Sequence, residues 1–527
     1  MLSLVIRGAT VVDGTGAPAF PADVGIDGDR IAVVARDGEA LGSADAPVVD
    51  ATGLTLTPGF VDVHSHADLS PLVHPEMTST IRQGVTCVVV GNCGFSAWPR
   101  YGWVDMLGLA FAPGDALPVP DWSGFAEYLA AVDAARPAVN VASLVGHGTL
   151  RGHVVGEERR AADASERAQM RSMARDAVRD GAVGLSSGLV YPPGQYSTTG
   201  ELVEVASGAG EAGGLYASHI RGEARSLFRS VAEALHIGRD AGLPVHVSHL
   251  KCESSHVWGR AGELLQAVHD AGATADQYPY TAWNSGLGSL LPAWAPAGKV
   301  TGLAADRDFY DRLRGAVEHG ERDFESGVDG VGWDSIVIEA TSDESSRGLS
   351  ITAVADVRGC DPFDAFLQLL GEDPATSCIG HAMNDDDLVT ILSDPRVFVA
   401  SDGSAAAPTG PGGELPVHPR NYGTFPRALA LARDRKLLSL ASVVRKMTSL
   451  PADRFGLSGR GRVAGGSFAD LVLIDPGAVR DTSTFERPHA FAEGLTTVIV
   501  NGSVSWDRRS PDTIARHGRA LRRTGPG

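Results

Sequence analysis

Short, almost wholly apolar runs recur through the middle of the chain, each followed by a segment of helical composition. They are Gly59-Phe60-Val61-Asp62-Val63, Cys87-Val88-Val89-Val90, Val141-Ala142-Ser143-Leu144-Val145, Ala182-Val183-Gly184-Leu185, Gly214-Leu215-Tyr216-Ala217, Pro244-Val245-His246-Val247, Ala273-Thr274-Ala275-Asp276 and Val397-Phe398-Val399-Ala400. A strand with one wet face alternates apolar and polar residues. Continuous apolar runs instead mark strands covered on both faces, as in parallel sheets. Strand–helix alternation repeated roughly eight times predicts an α/β fold, a (β/α)8 barrel of the TIM type. A further run, Ser377-Cys378-Ile379-Gly380, competes for a place among the late strands, and the pattern leaves that choice open.

The two ends of the chain read differently. Leu4-Val5-Ile6-Arg7, Thr10-Val11-Val12, Val24-Gly25-Ile26 and Arg30-Ile31-Ala32-Val33-Val34 are short strands, the last two joined by the hairpin signal Asp27-Gly28-Asp29. Ala469-Asp470-Leu471-Val472-Leu473-Ile474 and Thr497-Val498-Ile499-Val500 repeat the texture near the end. Neither group buries a sufficient core alone, so one small β-sandwich domain built from both chain ends is expected, residues 1–56 with 457–527. The barrel then occupies 57–456, with a Gly-, Pro- and Trp-containing insertion at about 283–334 near its mouth. The basic residues from Arg508 onward are expected to fray.

Composition narrows the class. With 43% hydrophobic and 21% charged residues over 527 positions, the chain has a globular balance and room for two domains. It has no apolar run of about 18 residues, the length needed to span a bilayer, and its first residues lack signal-peptide character. A cytoplasmic protein is the expectation. A net charge of -19 disfavours nucleic acid and anionic membranes as partners, and it requires local cations wherever an anionic substrate binds. Five cysteines are too few and too odd for a disulfide framework, which leaves thiols free to bind metal.

Metal-ligand residues end several of the apolar runs: Val63-His64-Ser65-His66, Gly91-Asn92-Cys93, Ser218-His219, Ser248-His249 and Ala400-Ser401-Asp402. The C-terminal strand ends of a barrel converge on one mouth. On extended backbone, His64 and His66 point the same way. Singly, each has a bland reading: a core histidine, a small buried cysteine, or a turn aspartate. Together they are a plausible zinc site of imidazoles and a thiolate with an open position for water, beside a carboxylate to accept its proton. His147 and His381 also lie near strand ends, but buried histidines are common.

The same residues carry a resemblance to the amidohydrolase superfamily, and within it to the D-aminoacylase (N-acyl-D-amino-acid deacylase) family. It extends over nearly the whole chain, through Pro58-Gly59-Phe60-Val61-Asp62-Val63-His64-Ser65-His66, Gly91-Asn92-Cys93-Gly94-Phe95-Ser96, Gly184-Leu185-Ser186-Ser187-Gly188, His219-Ile220-Arg221, Ser248-His249-Leu250-Lys251, Asp276-Gln277-Tyr278-Pro279-Tyr280, Ser401-Asp402-Gly403 and His418-Pro419-Arg420. Many superfamily members bridge two metals with a carboxylated lysine from the fourth strand; here Gly184-Leu185-Ser186-Ser187 carries none.

The resemblance implies a tight zinc on Cys93, His219 and His249, a weaker second ion on His64 and His66 with Cys93 shared, and Asp402 as catalytic acid/base. It implies a small-molecule substrate, an N-acyl-D-amino acid. Arg420, Lys251, Tyr191 and Tyr280 would bind that substrate's carboxylate, with Tyr278 a rival to Tyr280 and an exposed salt bridge the bland alternative for Lys251. The loop from Ser404 to Val417 is longer and more apolar than the family leads one to expect, and overhangs the site. The alternatives on the same scaffold are a cyclic-amide hydrolase or a deaminase. A non-catalytic oligomeric scaffold would be expected to lack Asp402 or Cys93, and both are present.

Overall fold

The computed structural model describes residues 1–36, 41, 46–101, 122–295, 300–322, 324–409, 413 and 416–523. The first strands are β1 (Leu4–Val11), β2 (Phe20–Asp27), β3 (Arg30–Arg36), β4 (Val48–Asp50) and β5 (Thr55–Pro58). Next come β6 (Phe60–Asp62), β7 (Val85–Val90), β8 (Asn140–Ser143), β9 (Val145–Gly146), β10 (Gly184–Gly188), β11 (Leu215–His219), β12 (Val245–Val247) and β13 (Thr274–Gln277). The chain continues through β14 (Trp283–Gly286), β15 (Ile336–Ala340), β16 (Ser377–Gly380) and β17 (Phe398–Val399). It ends in β18 (Leu471–Ile474), β19 (Leu495–Val500) and β20 (Ser503–Asp507).

Both chain ends join one eight-stranded sheet, in the order β20-β19-β18-β5-β1-β2-β3 with β4 on β1. The β2–β3 hairpin turns at Gly28, whose φ of 59° suits a residue without a Cβ. As far as Arg523, the last described residue, the tail is paired and does not fray as its basic composition suggested. Val141 donates to the Arg519 carbonyl at 2.9 Å, Leu521 donates back to Val141 at 2.7 Å, and Ala520 is buried. Backbone pairing of this kind leaves no trace in composition.

The sheet is tied to the middle of the chain by a buried polar network. Arg460 pairs with Asp470, which also accepts the Asn501 backbone N–H at 2.8 Å. Asn501 Nδ2 donates to Asn140 Oδ1 at 2.8 Å, at the start of β8. Arg460 and Asp470 are each 4% exposed, so removing one partner strands a buried charge. Asp470→Ala is expected to cost about 3–5 kcal/mol of stability, read as a lowered denaturant midpoint. An unchanged midpoint would show that water replaces the carboxylate.

The apolar runs of the middle region pair in parallel. β6-β7-β8 form one ladder and β9-β10-β11-β12-β13-β17 another, with only Leu144 between β8 and β9. All six residues of β7 and all five of β10 and β11 are buried, as expected of strands covered on both faces. Beyond the ends of β6 and β17, Ser65 bridges Gly403 in parallel, His66 donates to the Gly403 carbonyl and Asp402 donates to the His64 carbonyl, both at 2.8 Å.

The competing run Ser377–Gly380 is not one of these strands. It is the centre of an antiparallel three-stranded sheet, β14-β16-β15, packed on its own apolar cluster from Trp283 to Ala382. The antiparallel sheet runs from Trp283 to Gly380 and so continues past residue 334. Beyond that point its residues are ordinary strand and helix formers, and only their antiparallel pairing sets them apart.

Candidate active site

The loop after β7 is built to present Cys93. Gly91 turns the chain at φ 79°, where any Cβ would collide with the Leu144 carbonyl. Asn92 Nδ2 clamps the loop by donating to the Val89 carbonyl at 2.9 Å and to Val63 at 3.3 Å. Cys93, His249 and Asp402 all have left-handed backbone, φ 52°, 36° and 49°. Such conformations cost on the order of 1–3 kcal/mol each and cluster where function demands a side-chain direction.

The strand ends bring these residues together. Cys93 Sγ lies 3.2 Å from His64 Nε2, 3.5 Å from His219 Nδ1 and 3.7 Å from His249 Nε2. His249 Nε2 and His219 Nδ1 face each other at 2.9 Å. Asp402 Oδ1 is 3.1 Å from His66 Nε2 and 3.2 Å from His64 Nε2. Two groups with mutually close ligand atoms result, His64-His66-Cys93-Asp402 and Cys93-His219-His249, sharing the thiol. Burial alone would raise the Cys93 thiol, but His64, His219 and His249 outweigh it and hold the thiol well below its ordinary value. Soft thiolate and imidazole donors, closely spaced and buried, suit a transition metal in the zinc class.

The cations lie alongside. Arg420 Nη1 is 2.9 Å from Asp402 Oδ2, and Arg420 opens a helix, Arg420–Asp434, that follows the 404–417 loop. Burial would raise the Asp402 carboxyl, yet Arg420, His64 and His249 hold it well below the usual carboxylate range. Lys251 is buried at 5% exposure, which removes the surface salt-bridge alternative. Its Nζ donates to Glu223 Oε1 at 2.7 Å and to the His249 carbonyl at 3.2 Å. Tyr191 packs edge-on against His219, ring centres 5.1 Å apart.

Of the two rival tyrosines, Tyr278 is the one beside the cations: the Arg420 guanidinium lies 5.1 Å and Lys251 Nζ 5.8 Å from its ring centre. Tyr280 points elsewhere, with its hydroxyl 3.4 Å from the Pro419 carbonyl and its ring under Arg427. The two are separated by Pro279, and side-chain direction there follows the local bend, which periodicity does not report. His147 stands apart from the cluster, 3.3 Å from Glu201, which Arg151 also pairs at 2.9 Å. His381 packs on Phe485 with ring centres 5.0 Å apart. Residues 410–412 and 414–415 of the expected overhanging loop lie outside the described residues.

Sequence reasoning missed two carboxylates behind the histidines. Asp276 Oδ2 is 2.7 Å from His246 Nε2 and 3.5 Å from His64 Nδ1, while Oδ1 accepts the His249 backbone N–H at 2.9 Å. Glu223 is the other, and its only sequence signal is its place four residues after His219.

A model of the amidohydrolase family matches residues 47–287 and 339–505. The D-aminoacylase of Alcaligenes xylosoxydans xylosoxydans is 37% identical over 533 residues, covering 99% of this chain and 98% of that protein. The structure of a D-aminoacylase, solved to define the role of its binuclear metal centre, is 34% identical with a TM-score of 0.81, covering 99% of this chain and all of that one (100%). N-acyl-D-glutamate deacylase of Bordetella bronchiseptica, solved with zinc and a phosphonate mimic of the tetrahedral intermediate, is 33% identical with a TM-score of 0.80 over 99% of both chains. The chain belongs to the amidohydrolase family, in its N-acyl-D-amino-acid deacylase (D-aminoacylase) branch.

Proposed function

We propose that the protein hydrolyses the amide bond of N-acyl-D-amino acids, using zinc, and releases a D-amino acid and a carboxylate. The observation that carries this reading is the juxtaposition of a thiolate–imidazole ligand set with Asp402 and two buried cations, Arg420 paired with Asp402 and Lys251 beside His249. A protein of net charge -19 that gathers two cations beside its metal ligands is equipped for an anionic substrate. Relatives that deacylate N-acyl-D-aspartate and N-acyl-D-glutamate agree with this.

Cys93, His219 and His249 would hold the tight zinc, which when bound polarises the scissile carbonyl and makes attack by water easier. Asp402 would take the proton of the attacking water and return it to the leaving nitrogen. Arg420 offers a planar fork to the substrate carboxylate and Lys251 a point charge, with Tyr191 and Tyr278 as hydroxyl donors nearby. Pinning both carboxylate and amide leaves one side of the alpha carbon open for the substrate side chain, a basis for selecting one hand. A second ion on His64, His66 and Cys93 would also meet Asp402 and engage the base. The D-aminoacylase neighbour is described as activated by one metal and attenuated by a second.

We read the parallel strands as one (β/α)8 barrel, with the Ser65–Gly403 bridge as its closure. The eight-stranded end sheet is read as folding over its apolar cluster in sandwich fashion. Residues 1–56 with 457–527 would form that small domain and 57–456 the barrel, interrupted from Trp283 to about Ala382. No described helix is long and apolar enough to cross a membrane, and the five cysteines are free, which supports a cytoplasmic site of action.

The test is chiral chromatography of the amino acids released from N-acetyl-DL-amino acids by the zinc-loaded protein. Release of the D enantiomer is the expected result, and a panel of side chains would rank preference. No release of either hand would sink the proposal and make cyclic amides the next substrates to try.

A further inference from the structure

Glu223 stands on the loop that follows β11, outside every motif singled out in the sequence. Its side chain is only 9% exposed, and its carboxylate faces three polar groups. Oε1 accepts from Lys251 Nζ at 2.7 Å and lies 3.1 Å from His249 Nδ1. Oε2 lies 3.7 Å from His219 Nε2. Each of those rings turns its other nitrogen toward Cys93, His219 through Nδ1 and His249 through Nε2. One carboxylate therefore bonds the His249 ring and the ammonium through Oε1 and lies against the His219 ring as a charge through Oε2.

Two physical consequences follow. A histidine whose far N–H is held by a carboxylate is fixed in the tautomer that leaves the near nitrogen free to bind metal, and it becomes a more basic ligand. Secondly, Lys251 Nζ lies only 2.8 Å from His249 Nδ1. Once the ring gives its N–H to Glu223, two donors sit that close together, and only an anion between them makes the arrangement favourable.

We propose that Glu223 is a positioning residue that couples the metal ligands His219 and His249 to the Lys251 ammonium, so that metal retention and recognition of the substrate carboxylate depend on one side chain. The substrate half rests on the deacylase reading above; the metal half does not.

The experiment uses the full chain, with Glu223→Gln, Lys251→Met and Glu201→Gln beside the parent. Zinc affinity is measured by competition with a chromophoric chelator. KM is measured at saturating zinc for an N-acetyl-D-amino acid and for its carboxamide, which lacks the carboxylate. Glu223→Gln is expected to weaken zinc binding about 10- to 100-fold, the usual cost of losing a carboxylate behind a ligating histidine. It is also expected to raise KM for the acid more than for the amide. Lys251→Met should raise KM for the acid and leave zinc affinity alone. Glu201→Gln removes a buried carboxylate that serves His147 and Arg151 instead, and should lower the melting temperature without changing zinc affinity.

Zinc affinity in Glu223→Gln within about two-fold of the parent, or no weaker than in Glu201→Gln, would overturn the proposal. If Glu223→Gln does not fold, Glu223→Asp carries the same zinc test, because the shorter arm draws the carboxylate back from the His249 ring and Lys251. Should the parent release no amino acid while Glu223→Gln still loses zinc, the deacylase reading falls and the coupling of Glu223 to the metal ligands stands.

Discussion

Asp402→Asn is expected to lower kcat by about 100- to 10,000-fold, the range over which a positioned acid/base acts, while KM and the tightly held zinc stay close to the parent values. Asparagine is the informative replacement. It has the shape of aspartate, and with aspartate it is among the residues that best tolerate the left-handed backbone at this position, φ 49°. An amide nitrogen or oxygen cannot accept a proton from water at neutral pH, so the chemical step is what the substitution removes. Asp402 belongs to the His64-His66-Cys93-Asp402 group and not to Cys93-His219-His249, so the second set keeps its ligands. Steady-state kinetics with zinc content measured on the same sample decide the matter. Zinc lost in step with activity would make Asp402 a ligand first. Activity kept would remove it from the proton path and leave the pairing with Arg420 as its main role.

Cys93→Ser should empty both sites together. The thiol is the one donor common to the two ligand groups, and its depressed pKa means that it meets a cation already as an anion. A serine hydroxyl is harder and stays protonated at neutral pH, a poor exchange for a thiolate toward zinc. The expected result is zinc content after dialysis falling from about one ion per chain toward none, with deacylase activity lost in proportion. The rise in melting temperature that zinc gives the parent should vanish as well, since a metal stabilises only the state that binds it. Zinc retained at the parental level would shift the tight site to histidines and Asp402 alone.

The strand ends that converge in the structure show how the chain can be read from its residues. Continuous apolar runs ending in His64, Cys93, His219, His249 and Asp402 are legible because strand direction and burial on both faces constrain composition residue by residue. Family resemblance to the D-aminoacylases rests on the same short segments and holds over nearly the whole chain. Lys251 and Arg420 came from the family resemblance, joined to an acidic chain's need for local cations, and the structure sets both beside the ligand groups.

What the sequence left open has one common cause. Ser377–Gly380 has the composition of a buried parallel strand, and only its partners, β14 and β15, make it antiparallel and remove it from the series. Tyr278 and Tyr280 are chemically identical, and the path of the chain around Pro279 turns the first toward Lys251 and Arg420. The basic tail is held by backbone hydrogen bonds to Val141, which any composition could make. Asp276 reaches His64 from a distant strand with no fixed spacing to announce it, and Glu223 offers only its place four residues after His219. The sequence by itself determined the strand series, the donor atoms and the family. Tertiary structure alone decided which strands pair, which way each side chain turns and which carboxylates stand behind the ligands, because those choices depend on contacts between residues far apart in the chain.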